Sequence, residues 1–294
     1  MIKAQPFFIL ANPRSGSSLL RIICESHSNI TVPPESGFLE WWYGKYKNWN
    51  ILYSQSISKI EEFCEDLKSS KKFETYKFDF DFFKFYVIKE QPVNYSELIS
   101  LVYISFGIKS DKNVLVWGDK NNYYLDKTKL LFQLYPNAKY IHLVRDGRDV
   151  ATSYKALKKM KSSSSYAPKL TSDIEKIANE WNNNNNKLIN FFKSVSSKNV
   201  LVIRYEDLIN DLKKECQRIT SFLNVPFDEN MLSYYSINKF KGLEPVETLD
   251  WKKKTLEKLD PSNIGKYKQL LSKDDIVVFN NIAKGCLETF NYEY

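Results

Sequence analysis

The sequence predicts an α/β fold of three layers, with a parallel β-sheet between helices on both faces. Three observations predict it. Short apolar runs at residues 7–11, 113–117, 139–144 and 199–203 have the length of buried strands. Segments of helical periodicity separate them, which is the pattern of βαβ units and hence of parallel strands. The 294 residues, 43% hydrophobic and 27% charged, suit one large α/β domain. A single domain over 1–294 is expected, with residues 38–110 as an aromatic-rich helical insert.

Taken in order, FFILA at 7–11 is the first core strand. PRSGSS follows, and a helix over 17–26 is expected to bury Leu19, Leu20, Ile22 and Ile23. VPPESG at 32–37 is a loop that two prolines stiffen ahead of Glu35. GFLEWWYGKYKNW reads as helical. YKFDFDFFKFY alternates at Phe78, Phe80 and Phe82, but Phe83 and Phe85 break the period, so strand and helix both stay open. Residues 113–117 are a second strand, with Gly118-Asp119-Lys120-Asn121 as the turn after it. A helix over 126–135 stops at Pro136. KYIHLV is a third strand that leads through RDGRD into another helix, and MKSSSSYAP at 160–168 is a loop. A long helix over 171–193 carries five asparagines, expected on its exposed face. NVLVI is the fourth strand, and RYEDL opens the helix after it. Beyond Pro226 the chain reads as helical and basic. In parallel sheets ligands bind beyond the carboxyl ends of the strands. Arg14, Lys120, Arg145 and Arg204 each follow a strand, so all four are expected along one edge.

The net charge of +8 favours anionic partners, although a lysine-rich solvated surface accounts for it equally. Four scattered cysteines and only two histidines argue against zinc and for buried thiols in a reducing compartment. No apolar run is long enough to span a membrane, and the opening apolar run is too short for a signal peptide. A cytoplasmic location is expected.

Two segments carry the chemistry. In PRSGSSLL the small residues Ser15, Gly16 and Ser17 let the backbone turn tightly into a helix. The first N–H groups of that helix, up to Leu19, then converge on one spot, where the helix dipole also favours an anion. Ser17 and Ser18 add hydroxyl donors, and Arg14 adds a guanidinium that can fork onto an oxyanion. A plain strand-to-helix turn is the bland alternative. This is a P-loop-like outline, yet the GxxxxGK[ST] spacing and its lysine are absent, which disfavours a metal-dependent phosphoryl transferase. In LVRDGRDVATS, Arg145 leaves a strand and Ser153 lies on the following helix, where the two could clamp a second phosphate. Asp146, Arg148 and Asp149 could equally form a structural ion-pair knot.

Together PRSGSSLL, LVRDGRDVATS and RYEDL resemble the sulfotransferases that use 3′-phosphoadenosine-5′-phosphosulfate. The resemblance covers roughly residues 5–38, 113–155, 198–225 and 258–271. It implies a P-loop nucleotide-hydrolase-like fold and transfer of a sulfuryl group to a hydroxyl acceptor without a metal. The nearest branch is that of tyrosylprotein sulfotransferases and related bacterial enzymes, whose loop also reads RSG with two hydroxyl residues after it. In that branch a glutamate stands at the spacing of Glu35 from Arg14, and a lysine at the spacing of Lys120 from Arg145.

The resemblance implies that Glu35 is the general base, Lys120 the cation at the breaking bond, and Arg14 its helper. It places the 5′-phosphosulfate on Arg14, Ser15, Gly16, Ser17, Ser18 and Leu19. The 3′-phosphate falls on Arg145 and Ser153, with Tyr205 near the nucleotide and Lys266 reaching back to the phosphosulfate. His27 is a rival base, though its place after the first helix suits a helix-end role, and His142 reads as a sheet residue. Lys252, Lys253 and Lys254 read as a solvated run, from which one lysine could approach the 3′-phosphate. Trp41, Trp42, Tyr43 and Trp49 read as cap core or as acceptor-stacking rings. The branch has an arginine two residues past the glutamate, where this chain has Gly37. The acceptor is therefore left among carbohydrate, lipid, small metabolite and protein tyrosine, with residues 38–110 as the acceptor-side cap. A homodimer is among the assemblies considered. A P-loop kinase or NTPase, or a nucleic-acid binder, are the competing readings. No nucleic-acid partner and no metal are expected.

Overall fold

The computed structural model describes residues 4–160 and 162–294. Lys161, in the loop expected at 160–168, and residues 1–3 of the expected domain lie outside the described residues. Five parallel strands form one sheet: β1 (Gln5–Leu10), β2 (Ile30–Thr31), β3 (Val116–Lys120), β4 (Lys139–Val144) and β5 (Val200–Arg204), in the order β2-β3-β1-β4-β5. The central strand pairs Ile9 with Lys120 on one side and with Ile141 on the other.

Strand periodicity divides the core. Phe8 and Leu10 of β1 face an aromatic cluster that includes Trp117, Tyr103 and Tyr140. Phe7 and Ile9 face the helix Ser17–Glu25 through Leu20, Ile22 and Ile23. A third cluster packs the helices Gly147–Lys159, Ile174–Phe192 and Lys273–Thr289 around Trp181 and Phe279. Helices therefore cover both faces, as expected. Tyr103 stacks on Trp117 at 4.3 Å with the rings 4° apart. Gly118 leaves room for the ring of Phe7, which a Cβ would meet at 2.3 Å.

The structure departs from the expectation in three places and settles one open choice. β2 was not foreseen, because two residues carry no periodic signal. β3 begins and ends three residues later than expected, so Asp119 and Lys120 are strand residues rather than a turn. The Asp119 carboxylate is buried and accepts bonds from the hydroxyls of Tyr103 and Tyr124, and burial pushes it up to about 6. The ambiguous aromatic segment resolves into a turn at Phe73–Tyr76 and a helix Phe80–Glu90, which the Asp79 carboxylate caps. The five asparagines do not share an exposed face. Five consecutive residues span the whole helix circumference, and Asn185 is buried against His142 at 3.0 Å.

Residues 38–110 form helices whose aromatic side chains join the cluster on the Phe8 face. Trp49 is buried there and Trp42 donates to Ser70 Oγ at 2.8 Å, so both are core. Trp41 stays 37% exposed and lies 6.0 Å from the ring of Tyr123. No helix of the described residues is long and apolar enough to cross a membrane.

Candidate active site

The carboxyl ends of β1, β3 and β4 open on a cleft of about 890 Å³. β1 lies between β3 and β4, so the cleft begins where the chain's crossovers part to either side of the sheet. Arg14, Gly16, Ser17, Ser18 and Leu19 line one wall. Gly16 caps the helix Ser17–Glu25 with φ 93°, a left-handed conformation natural to glycine. That leaves the first-turn N–H groups of Ser17, Ser18 and Leu19 without helical partners and facing the cleft. Ser15 is fully buried, and its hydroxyl makes no bond among the described residues.

Tyr205 explains why the turn must be glycine. A Cβ on Gly16 would sit 2.5 Å from the Tyr205 ring. The same ring lies 4.5 Å from the Arg145 guanidinium. Gly16→Ala is expected to cost about 1–3 kcal/mol of strain and to abolish stabilisation by adenosine 3′,5′-bisphosphate in a melting experiment. A wild-type nucleotide response in that variant would show that the tight turn is not needed.

Arg14 and Arg145 stand side by side. Arg145 donates to the Arg14 carbonyl at 3.4 Å, and Arg14 Nε donates to Ser153 Oγ at 3.0 Å. Burial and the neighbouring Arg145 charge pull the Arg14 guanidinium down to about 10. Arg145 Nε and Asn121 Nδ2 are buried and make no hydrogen bond among the described residues. Both belong to cleft-lining residues. Buried donors without partners are uncommon in folded proteins.

A second cationic group gathers on one amide. Lys254 and Lys266 both donate to Asn263 Oδ1, and Arg145 donates to the Asn263 carbonyl at 2.9 Å. The turn carrying Lys266 is fixed by Asp149, which accepts from the N–H of Gly265 at 2.7 Å and of Tyr267 at 2.9 Å. Asp146 pairs with Arg148 at 2.7 Å, so part of the Arg-Asp cluster is indeed a structural knot.

Glu35 and Lys120 meet directly across the cleft, with the Lys120 ammonium donating to Glu35 Oε1. Lys72 reaches Glu35 Oε2 at 3.3 Å, and Lys252 lies 3.9 Å from Oε1. Burial disfavours the carboxylate, but Lys120, Lys252 and Lys72 together outweigh it and hold Glu35 well below the usual range. Burial is the larger influence on Lys120 and pulls its ammonium down. Ser36 Oγ donates to the Lys71 carbonyl at 3.0 Å, which ties the Glu35 loop to the segment bearing Lys72.

Two expectations need correction, those for Arg204 and Lys252, and His27 takes the helix-end role expected of it. Arg204 ends β5, but its guanidinium packs on the Tyr292 ring at 4.5 Å and is not among the residues lining the cleft. Lys252 is not solvated: its side chain is 10% exposed and bonds Glu244 at 2.7 Å. Lys253 and Lys254 stay exposed, as expected of a solvated run, although the Lys254 ammonium donates to Asn263 Oδ1. His27 is buried against the Pro226 carbonyl at 2.8 Å, at the helix end and outside the cleft lining. Sequence reading missed Lys72 and Asn121 as site residues. Lys72 had no signal, whereas Asn121 stood in a quoted turn beside Lys120.

The model of the family described as "Sulfotransferase family" matches residues 6–229. Among curated proteins, Protein-tyrosine sulfotransferase A of Caenorhabditis elegans is 24% identical over 254 residues, 83% of this chain. The chain spans 57% of the length of that relative. Among solved structures, the sulfotransferase domain of the Synechococcus PCC 7002 olefin synthase is 22% identical, with a TM-score of 0.62 over 100% of this chain and 97% of its own. A mouse sulfotransferase crystallised with PAP has a TM-score of 0.51 at 14% identity, covering 97% of this chain and 85% of its own. These two structures share the fold.

Proposed function

The chain belongs to the sulfotransferase family, and on that premise we propose that it moves a sulfuryl group from 3′-phosphoadenosine-5′-phosphosulfate to a hydroxyl acceptor. One observation carries the reading. A carboxylate and an ammonium, Glu35 and Lys120, meet in the cleft onto which the phosphate-binding loop opens, with Arg14 and Arg145 adjacent beside it.

In the proposed step the acceptor oxygen attacks sulfur in line and its proton passes to Glu35. The bond from sulfur to the bridging oxygen breaks, and the electron pair stays on the departing adenosine 3′,5′-bisphosphate. Lys120, released from Glu35, and Arg14 face the charge that grows on that oxygen. The loop N–H groups and Ser17 and Ser18 hold the 5′ end. Arg145 and Ser153 are assigned to the 3′-phosphate, with Tyr205 against the nucleotide. Lys266, expected at the phosphosulfate, shares Asn263 with Lys254 beside Arg145 and is reassigned to the surroundings of the 3′-phosphate.

Residues 38–110 supply the acceptor side in this reading, supported by Lys71 and Lys72 on the cleft wall near Tyr123 and Tyr166. The relative named for protein tyrosine favours a phenolic hydroxyl. Gly37 in place of that branch's arginine keeps carbohydrate, lipid and small-metabolite hydroxyls in the same class. A cytoplasmic setting accords with four cysteines that are buried and unpaired.

The test is to supply radiolabelled donor and a cell extract in the presence of a magnesium chelator and to follow the label. Transfer to an extract component is expected. Adenosine 3′,5′-bisphosphate should raise the melting temperature well above the effect of ATP. Stronger stabilisation by ATP with magnesium would favour the kinase reading instead.

A further inference from the structure

Behind Glu35 runs a line of buried charges that alternate in sign. Arg21, on the helix that follows the phosphate loop, is 1% exposed. Its guanidinium donates to the Val32 carbonyl at 3.0 Å, the Leu243 carbonyl at 2.8 Å and Glu244 Oε2 at 2.8 Å. Glu244 Oε1 accepts from Thr248 Oγ1 at 2.6 Å and from Lys252 Nζ at 2.7 Å. Lys252 in turn lies 3.9 Å from Glu35. Val32 precedes Pro33-Pro34-Glu35, so Arg21 touches the base's backbone lead-in at one end of the line, and Lys252 faces its carboxylate at the other.

We propose that Arg21, Glu244 and Lys252 act as a positioning chain that keeps Glu35 in place and ionised while Lys120 serves the donor. The argument rests on the reading of Glu35 as the base. Lys120 cannot stay paired with Glu35 and also face the oxygen that leaves sulfur. When it turns away, Glu35 loses its nearest ammonium. Lys252 does not follow, because its hydrogen bond is to Glu244. When Glu35 takes the acceptor's proton, Lys252 still has Glu244 as its counter-charge, so no buried cation is orphaned. Buried ion pairs are weak devices for stability, since well-packed apolar groups often serve as well. A fully satisfied Glu244, bonded to a cation on either side, is better explained by what it holds in position.

The groups facing Glu35 are Lys120 from β3, Lys72 just ahead of the turn at Phe73–Tyr76, and Lys252 from the helical turn Leu249–Lys252. Glu35 in turn acts through space on Arg14, Asp119 and Tyr76. Lys252→Gln removes one cation and leaves the rest.

The test observes Glu35 directly and needs no turnover. Full-length protein labelled with [5-13C]glutamate is titrated by NMR through the acid range in which it stays folded, with saturating adenosine 3′,5′-bisphosphate. The Glu35 signal is assigned by its loss in Glu35→Gln. Wild type and Lys252→Arg should titrate alike, with a midpoint below the ordinary glutamate range. Lys252→Gln should raise the midpoint by about one pH unit, a tenfold change in proton affinity. In a Glu244→Gln background, where Lys252 is no longer held, the same substitution should have little further effect. A merely structural role would lower the melting temperature and leave the midpoint unmoved. The proposal is overturned if Glu35 titrates alike in Lys252→Gln and wild type, or if the Glu244→Gln background leaves the Lys252 effect whole. Absence of sulfuryl transfer in the wild type would instead overturn the functional reading, and this titration would still report.

Discussion

Glu35→Gln is expected to lower sulfuryl transfer by about 10²–10⁴-fold, the usual contribution of a positioned general base, and to leave nucleotide binding nearly intact. The amide keeps the size of the side chain and can still accept a hydrogen bond from Lys120, so the cleft should hold its shape. What it cannot do is take the acceptor's proton. The two halves of the expectation are read separately, by initial rates with labelled donor and by the melting-temperature rise with adenosine 3′,5′-bisphosphate. The pH dependence adds a check. Turnover requires the ionised carboxylate, and Lys120, Lys252 and Lys72 hold Glu35 well below its ordinary range. The acid limb of the kcat/KM profile, which reports the free enzyme in which Lys120 is still paired, should therefore lie below the usual glutamate value, with activity retained as pH falls to that point and lost beneath it. A Glu35→Gln enzyme of full activity would mean that another group takes the proton.

Arg145→Leu is expected to weaken adenosine 3′,5′-bisphosphate by about a hundredfold. A hydrogen bond to a charged group contributes about 1.5–3 kcal/mol, and the guanidinium offers a buried Nε that has no protein partner among the described residues. Arg145 also supports the Tyr205 ring that lies against Gly16, so part of the loss should come through the loop. Calorimetry with the bisphosphate and with adenosine 5′-phosphosulfate, which lacks the 3′-phosphate, separates the two contributions. The second ligand should be much less affected. Equal losses for both would place Arg145 at the 5′ end and reverse the assigned orientation of the nucleotide.

The tight turn at Gly16 and the strand KYIHLV, which is β4, were legible because local residues determine them. Gly16 must turn the chain, and KYIHLV is apolar enough to be buried whatever surrounds it. β3 was placed too early because Asp119 and Lys120 read as surface residues. Only the fold supplies Tyr103, Tyr124 and Glu35 to satisfy them. Lys252 sat in what read as a solvated run for the same reason: its counter-charges Glu244 and Glu35 arrive from elsewhere. Arg21 gave no signal, since a single arginine on an amphipathic helix is ordinarily on the wet side. A charge was misplaced where a partner is distant in sequence, as Glu35 is from Lys120 and Glu244 from Arg21.

The convergence of Lys254 and Lys266 on one neutral amide, with Arg145 beside them, has a consequence for how the protein is handled. Three like charges share a single side-chain oxygen and one carbonyl, so mutual repulsion is relieved by any small polyanion that diffuses in. Phosphate or sulfate buffers should act as competitors there, and screening at high ionic strength should weaken the attraction. Apparent affinities for the nucleotide will depend on the counterions present, and comparisons between variants are meaningful only at matched ionic composition.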